Sequence, residues 1–198
     1  EKILRHDDIL KTYRGILANG RVPLIVDCGA NIGLATKYFN EQYISAQFVV
    51  VEPDSDNLRY AKINNKKSLA LVEYMECGIN CNNGSANLLN SSGDNTAYQT
   101  EISNSGNIRL LSLNDLINEK IASGCDPFII KIDIEGFEDN LFKSNLDWIK
   151  KCPLIMIELH DWMLPYKSNS RFFLQAIAQR NRDFILAGEN IFSVNNNN

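Results

Sequence analysis

Short, mostly apolar runs that do not alternate with polar residues, each followed by a helical pattern, constrain this fold most strongly. The runs lie at residues 24–26, 48–51, 70–75, 128–134 and 154–159. Strands that are apolar on both faces are typical of parallel sheets covered by helices on both sides. We therefore predict that the 198 residues form a single α/β domain with a doubly wound, mostly parallel sheet.

The chain divides into three predicted segments. Residues 1–22 form an N-terminal helical segment, residues 23–194 form the main domain, and the four asparagines at 195–198 form a disordered tail. Within the main domain, residues 80–107 are rich in Gly, Asn and Ser, which predicts a hairpin or a mobile lid.

Two predicted helices follow the first two strands. One spans residues 31–43 and directs Leu34, Tyr38 and Phe39 into the core. The other spans residues 55–64.

Composition excludes several classes of protein. The chain has 20 Lys and Arg against 24 Asp and Glu, a net charge of -4, which argues against broad nucleic-acid binding. No apolar run approaches the roughly 20 residues needed to cross a bilayer. The five cysteines are an odd number without a zinc-binding pattern, so we expect reduced thiols and a cytoplasmic protein.

A glycine-rich turn, residues 27–33, follows the first strand. With Gly29 in first position, a dinucleotide fingerprint would need glycines where Asn31 and Leu34 stand, so that pattern fails. The carboxylate of Asp27 would repel a pyrophosphate but suits the cationic sulfonium and ammonium of S-adenosylmethionine. The alternative is a glycine turn with a residue that caps the next helix.

An acidic residue follows the second strand. Glu52 lies 19 residues beyond Gly33, near the spacing at which a carboxylate accepts both hydroxyls of a ribose. Asp54 alternatively caps the following helix.

Charged residues gather at the ends of two later strands. Lys131, Asp133 and Glu135 share one face of a strand, and Glu158 and His160 share a face of the next. Three interpretations stay open: a general base, His160 or Asp133; a divalent metal held by carboxylates and His160; or a salt-bridge network with Lys131 as the counter-ion.

The combined motifs resemble the FkbM family of S-adenosylmethionine-dependent methyltransferases. The resemblance rests on VDCGANIG, VVEPD, IKIDIEGFED and IMIELHD, at residues 26–33, 50–54, 130–139 and 155–161. It implies a seven-stranded class I methyltransferase fold and O-methylation of a hydroxyl on a sugar, a polyketide or another secondary metabolite.

The resemblance also implies roles for individual residues. The glycine turn would hold the methionine part of the cofactor, Glu52 its ribose, and the segment 75–78 its adenine. The predicted cofactor contacts are Asp27, Gly29, Ala30, Asn31, Gly33, Glu52, Pro53, Glu76, Cys77 and Asp133. The predicted catalytic residues are Asp133, His160, Glu135 and Lys131, and no metal is assigned.

The sequence thus predicts a methyltransferase that uses S-adenosylmethionine and acts on a small-molecule or glycan hydroxyl. We expect no nucleic-acid or membrane partner, and a homodimer is compatible with the chain. The alternatives are methylation of RNA or of a protein nitrogen, and a non-catalytic module that binds the cofactor.

Overall fold

A computed structural model describes residues 5–90, 98–103 and 105–197. The strands, in chain order, are β1 (Val22–Cys28), β2 (Gln47–Val51), β3 (Leu71–Met75), β4 (Gly78–Asn80), β5 (Gly84–Asn90), β6 (Tyr98–Ile102), β7 (Ile108–Ser112), β8 (Cys125–Ile132), β9 (Leu154–Glu158), β10 (Arg182–Ala187) and β11 (Asn190–Asn195). The helices are α1 (His6–Ala18), α2 (Leu34–Gln42), α3 (Ser55–Asn64), α4 (Leu113–Ala122), α5 (Glu138–Leu141), α6 (Asp147–Lys151) and α7 (Arg171–Ala178).

The central sheet has seven strands in the order β10-β11-β9-β8-β1-β2-β3. Strands β1, β2, β3, β8 and β9 run parallel, and β11 pairs antiparallel with β9 and β10. The order reverses between β1 and β8, and open α/β sheets bind ligands beyond the strand ends at such a reversal. The predicted α/β class and mostly parallel seven-stranded sheet are confirmed.

Successive strand residues point to opposite sides of the sheet, and helices cover both of these sides. On one face, Leu24 and Val26 pack with residues of α4, α6 and α7. On the other face, Ile25 packs with residues of α1, α2 and α3. This arrangement explains why the strands are apolar throughout. None of the helices in the described part of the chain combines the length and apolar composition of a membrane span.

The second helix differs from the prediction in its start and in its buried face. It begins at Leu34, since residues 31–33 form a turn. Leu34 and Tyr38 are 60% and 62% exposed, so their predicted inward position was wrong; Phe39 is buried as predicted. The helix instead buries Thr36 and Asn40, which have hydrogen-bond partners inside: Thr36 donates to Asp27.

Residues 80–107 contain more sheet than a hairpin. Strands β5 and β6 are antiparallel, and with β4 and β7 they form a second, four-stranded sheet in the order β4-β7-β5-β6. Residues 91–97 and 104 of the predicted lid lie outside the described residues.

The predicted tail also differs. Asn195 ends β11, is buried, and donates its backbone N–H to the Pro153 carbonyl. Asn196 donates likewise to Asn181, so the chain remains attached to the fold beyond residue 194. Asn198 and residues 1–4 of the N-terminal segment lie outside the described residues.

Candidate active site

A cleft lies at the carboxyl ends of the parallel strands, where the strand order reverses. It encloses about 660 Å³, including solvent at its mouth. Its lining residues come from the turns that follow the central strands and from the second sheet: Gly29, Asn31, Val51, Glu52, Pro53, Asn57, Cys77, Gly78, Ile79, Leu110, Asp133, Ile134, Glu135 and Phe137.

The glycine turn brings the backbones of two neighbouring strands into close approach. Gly29 has a φ of +74°, and a Cβ at this position would lie 1.7 Å from the carbonyl oxygen of Asp133. The N–H groups of Gly29 and Ala30 both donate to the Val51 carbonyl at 3.0 Å. The turn therefore requires glycine at position 29, and it leaves Gly29 on the cleft wall.

Three of the predicted turn contacts lie outside the cleft lining. Ala30 is buried. Gly33 faces α3, where a Cβ would lie 2.9 Å from the Ala61 Cα, so its role is helix packing. The third is Asp27, which is completely buried.

Asp27 contacts the protein interior rather than a ligand. It stands opposite Lys131 in the register of β1 and β8. One of its carboxylate oxygens accepts from the Thr36 hydroxyl at 2.6 Å, and the other is 3.2 Å from Lys131 Nζ. The predicted direct contact between Asp27 and a cofactor ammonium therefore does not match this placement.

Lys131 also lies outside the cleft lining, beneath the turn. Its ammonium donates to the Gly29 carbonyl at 2.8 Å and is 3.2 Å from Asp133 Oδ2. Burial by itself would lower the pKa of Lys131, but the charges of Asp27 and Asp133 raise it above its usual value. Lys131 thus stays charged and fixes the turn against β8, as a positioning residue.

Glu52 is held by the backbone on both of its oxygens. Oε2 accepts from the Asn31 N–H at 2.8 Å, and Oε1 accepts from the Asp54 N–H at 3.0 Å. Burial raises the pKa of Glu52, and these hydrogen bonds act against that rise. Because an ionised carboxylate accepts about four hydrogen bonds, each oxygen retains acceptor capacity for a ligand hydroxyl in the cleft. Asp54 caps α3 by accepting from the Asn57 N–H at 2.8 Å, as the alternative interpretation held.

The wall opposite the glycine turn is largely apolar. Cys77 lines it, and burial raises the pKa of this thiol to about 11, so it is neutral at physiological pH. Pro53 also lines the cleft, whereas Glu76 is exposed and does not. Ile79 and Leu110, which the sequence analysis missed, enter from β4 and β7 of the second sheet. No motif marks them, because their position depends on how that sheet packs.

Beside the cleft, a buried carboxylate fixes the imidazole of His160. Only 2% of the His160 side chain is exposed, and its Nδ1 lies 2.8 Å from Glu138 Oε1. Glu138 is completely buried, and its other oxygen accepts from the Asn169 side-chain amide. These contacts set the ring orientation. The sequence did not mark Glu138 and Asn169 as site residues, although Glu138 lies within the KIDIEGFED motif.

The other ring nitrogen faces three carboxylates, which we call the acidic rim. Nε2 of His160 lies 3.5 Å from Glu158 Oε1, 3.7 Å from Asp133 Oδ1 and 3.7 Å from Glu135 Oε2. Glu135 has a left-handed backbone, with a φ of +51°, and Gly136 follows with +88°. This turn brings Glu135 back over the strand ends. The structure thus brings together Asp133, Glu135, Glu158 and His160, which the sequence predicts at the ends of two strands.

The charges of the rim change its acid–base behaviour. Burial would lower the pKa of His160, but the hydrogen bond and charge of Glu138, with the charges of Glu135 and Asp133, raise it. Burial and the neighbouring carboxylates raise the pKa of Glu135 and Glu158. The salt-bridge interpretation holds for Lys131 with Asp27 and Asp133. It does not extend to Glu135 and Glu158, which have ion-pair contacts only with His160 among the described residues.

Solved structures with the same architecture include methyltransferases. An O-methyltransferase from Bacillus cereus, in complex with SAH, is 12% identical, with a TM-score of 0.51; the match covers 98% of this chain and 82% of that one. A methyltransferase from Geobacter sulfurreducens is 15% identical, with a TM-score of 0.48 and coverage of 96% and 80%. At 12% identity, the likeness to the Bacillus cereus structure indicates a shared fold. A search of curated protein sequences gives no significant match.

The sequence itself matches a family model. The model of the methyltransferase FkbM domain aligns with residues 27–186, which span the glycine turn, the acidic rim and most of the central sheet. The chain therefore belongs to the FkbM methyltransferase family.

Proposed function

We propose that this methyltransferase moves a methyl group from S-adenosylmethionine to a hydroxyl oxygen of a sugar, glycan or other metabolite. The observation that carries the proposal is the position of Asp133 and Glu135. Both line the cleft that contains Glu52, and both lie 3.7 Å from His160 Nε2 in the acidic rim. A nucleoside site and a group of proton acceptors therefore adjoin each other.

The cleft residues fit the proposed methyl donor. The retained acceptor capacity of Glu52 suits the two hydroxyls of a ribose. The apolar side chains of Ile79 and Leu110, next to the neutral thiol of Cys77, suit a flat purine. Gly29 leaves the backbone open beside Asp133, and the carboxylates nearby suit a ligand with a net positive charge.

When bound, S-adenosylmethionine would supply an electrophilic methyl group, whose carbon forms a bond to the acceptor oxygen in line with the breaking C–S bond, so that S-adenosylhomocysteine is the leaving group. Catalysis by the protein then consists mainly of holding the two reactants close and aligned. His160 or Asp133 removes the hydroxyl proton as the new O–C bond forms. Lys131 keeps Asp133 in place through its ion pair.

An exposed aromatic ring supports a carbohydrate acceptor. Trp162 is 74% exposed, and its ring centroid lies 6.3 Å from that of His160. An open groove beside it is lined by Glu158, Leu159 and Glu189. A tryptophan face next to carboxylates suits a sugar ring, which offers C–H groups to the indole and hydroxyls to the acids.

We also place the protein in the cytoplasm, because all five cysteines are buried as free thiols.

Calorimetry with S-adenosylhomocysteine tests the cofactor site. We expect saturable binding, weakened about tenfold or more by Glu52→Gln, because the amide loses a charged acceptor and points a donor at a backbone N–H. Asp56→Asn is the matched control, since Asp56 is 79% exposed on α3. Absence of binding by folded protein would refute the cofactor assignment.

Turnover assays with labelled methyl donor and a panel of glycans and metabolites test the reaction. Asp133→Asn and His160→Ala should each reduce turnover far more than they reduce affinity for S-adenosylhomocysteine. Normal affinity without transfer to any acceptor would instead favour a non-catalytic module, and transfer to RNA or to a protein nitrogen would favour the other alternative.

A further inference from the structure

We propose that His160, Asp133 and Glu158 form a binding site for one divalent transition-metal cation, of the class represented by Mn²⁺. Ion binding is argued from the geometry of the acidic rim and does not depend on methyl transfer. Only the role given to the ion below rests on the proposed function.

The donor atoms of the three residues are spaced like ligands of a shared ion. One donor atom from each of the three residues lies within 4.8 Å of the others. Nε2 of His160 is 3.5 Å from Glu158 Oε1 and 3.7 Å from Asp133 Oδ1. Ligands about 2.1 Å from a shared ion lie roughly 3.0–3.5 Å apart at octahedral or tetrahedral angles. The two distances from His160 Nε2 are therefore close to those of ligands that share an ion, and longer than a normal hydrogen bond.

The imidazole of His160 indicates a metal site independently of the carboxylates. His160 is buried, and its Nδ1 is occupied by Glu138. Within the described residues, Nε2 makes no hydrogen bond, although it points into the rim. The ring is buried and oriented, and its Nε2 has only contacts of 3.5–3.7 Å with the carboxylates that face it, so a metal ion would give this nitrogen a close partner.

The surroundings of Glu138 support the same conclusion. Its Oε1 also accepts from the Gly136 N–H at 3.2 Å, and its other oxygen accepts from Asn169. Histidine ligands of metals usually donate their second ring nitrogen to a carboxylate, which fixes the tautomer and orients the ring. Here that carboxylate is completely buried and accepts hydrogen bonds on both of its oxygens.

Charge also favours a cation at this point. Asp133, Glu135 and Glu158 surround Nε2 at 3.5–3.7 Å, with Glu138 on the other side of the ring. The nearby ammonium of Lys131 is shared with the buried Asp27. The rim therefore concentrates more negative than positive charge in a partly buried volume, which is costly unless a cation joins it.

The imidazole selects the class of ion. Mg²⁺ and Ca²⁺ prefer oxygen ligands alone, an imidazole suits ions such as Zn²⁺, Fe²⁺ and Ni²⁺, and carboxylates suit Mn²⁺. A site with one imidazole and two carboxylates therefore fits a first-row transition metal. If methyl transfer takes place here, an ion at the rim would bind the acceptor oxygen and lower the pKa of its hydroxyl. Asp133 and His160 would then be ligands instead of proton acceptors, and Glu135, the rim carboxylate outside the ligand set, would accept the hydroxyl proton.

Binding of Mn²⁺ to the full chain, stripped with a chelator, tests the proposal. Electron paramagnetic resonance counts free Mn²⁺, and calorimetry gives the affinity. We expect one ion per chain and about a tenfold or greater loss of affinity in Glu158→Gln and Asp133→Asn. Glu119→Gln, the same change at a 70% exposed position on α4, should bind as the parent does.

Glu158→Gln keeps the test decisive if Asp133→Asn does not fold, because the Glu158 carboxylate makes no hydrogen bond to another described residue. Circular dichroism checks folding. Lack of saturable Mn²⁺ binding at millimolar concentration, or equal affinity in Glu158→Gln, would overturn the proposal. Nitrogen NMR that finds both His160 nitrogens protonated in the presence of saturating Zn²⁺, a diamagnetic ion that imidazole binds, would overturn it as well. Binding of S-adenosylhomocysteine, measured separately, reports on the proposed function alone.

Discussion

The close approach at Gly29 gives a quantitative prediction about stability. In Gly29→Ala, the new Cβ would stand 1.7 Å from the Asp133 carbonyl oxygen and 2.7 Å from its carbon. Gly188→Ala is a matched control, because Gly188 also has a positive φ, +63°, but has no atom within 4 Å of the added Cβ. The pair separates the steric effect from the backbone effect.

The magnitude follows from these two terms. A left-handed backbone costs an alanine about 1–2 kcal/mol at either position. At Gly29 the strands must also separate by more than about 1 Å to reach normal van der Waals contact. That movement strains two backbone hydrogen bonds of 3.0 Å, from Asp133 N–H to Cys28 and from Gly29 N–H to Val51. At about 1 kcal/mol or more per bond, we expect a total loss of about 3–5 kcal/mol for Gly29→Ala.

Urea unfolding and thermal melting measure the difference. An excess loss of about 2–3 kcal/mol corresponds to a melting temperature roughly 4–12 °C below that of Gly188→Ala in a chain of this size. Gly29→Ala should also weaken S-adenosylhomocysteine binding, which Gly188→Ala should leave unchanged. Equal losses of stability in the two variants would refute the argument from close approach.

Three further predictions concern the core and the groove. Lys131→Met leaves the buried Asp27 carboxylate without its ammonium, so urea unfolding should report a loss of about 3–5 kcal/mol; a loss close to zero would contradict the buried ion pair. Burial raises the pKa of Cys152 to about 12, so the unfolded thiol ionises first and stability should fall as the pH rises above about 9, by roughly 1.4 kcal/mol between pH 8 and 10 for this thiol. Urea unfolding of Cys152→Ala at both pH values should lack that part of the decline in stability. An unchanged decline would exclude the ionisation of Cys152 as its cause. Trp162 is 74% exposed and Trp148 only 1%, so acrylamide should quench Trp162 selectively, and a sugar acceptor should protect it. Trp162→Ala should raise the acceptor KM several-fold without affecting S-adenosylhomocysteine binding, and an unchanged KM would exclude the groove as an acceptor site.

Much of the fold could be predicted because local patterns and the global arrangement agree. Helix α3 has the predicted bounds, since Asp54 provides a capping side chain and the preceding strand ends three residues before it. The buried face of α2 could not be read in the same way. Its interior positions are polar, and Thr36 is buried because of a hydrogen bond to Asp27, which no hydrophobic pattern records.

Some contacts of the candidate site could be predicted from the sequence, and others could not. The meeting of Asp133, Glu158 and His160 follows from the rule that parallel strands end at one edge. The pairing of Asp27 with Lys131 depends on the register of β1 and β8, and a sequence does not specify register between strands about 100 residues apart. The contact between Glu138 and Asn169 links residues 31 positions apart, and only the folded chain brings them together.

The internal neutralisation of Asp27 changes which groups decide what the cleft admits. The Lys131 ammonium neutralises its charge, so the aspartate of the glycine turn does not itself repel phosphorylated nucleotides. That discrimination falls to Asp133 and Glu135, whose carboxylates line the cleft about one-third exposed. Removal of these two charges, more than any change in the turn, is what would open this pocket to phosphate-bearing competitors such as NAD.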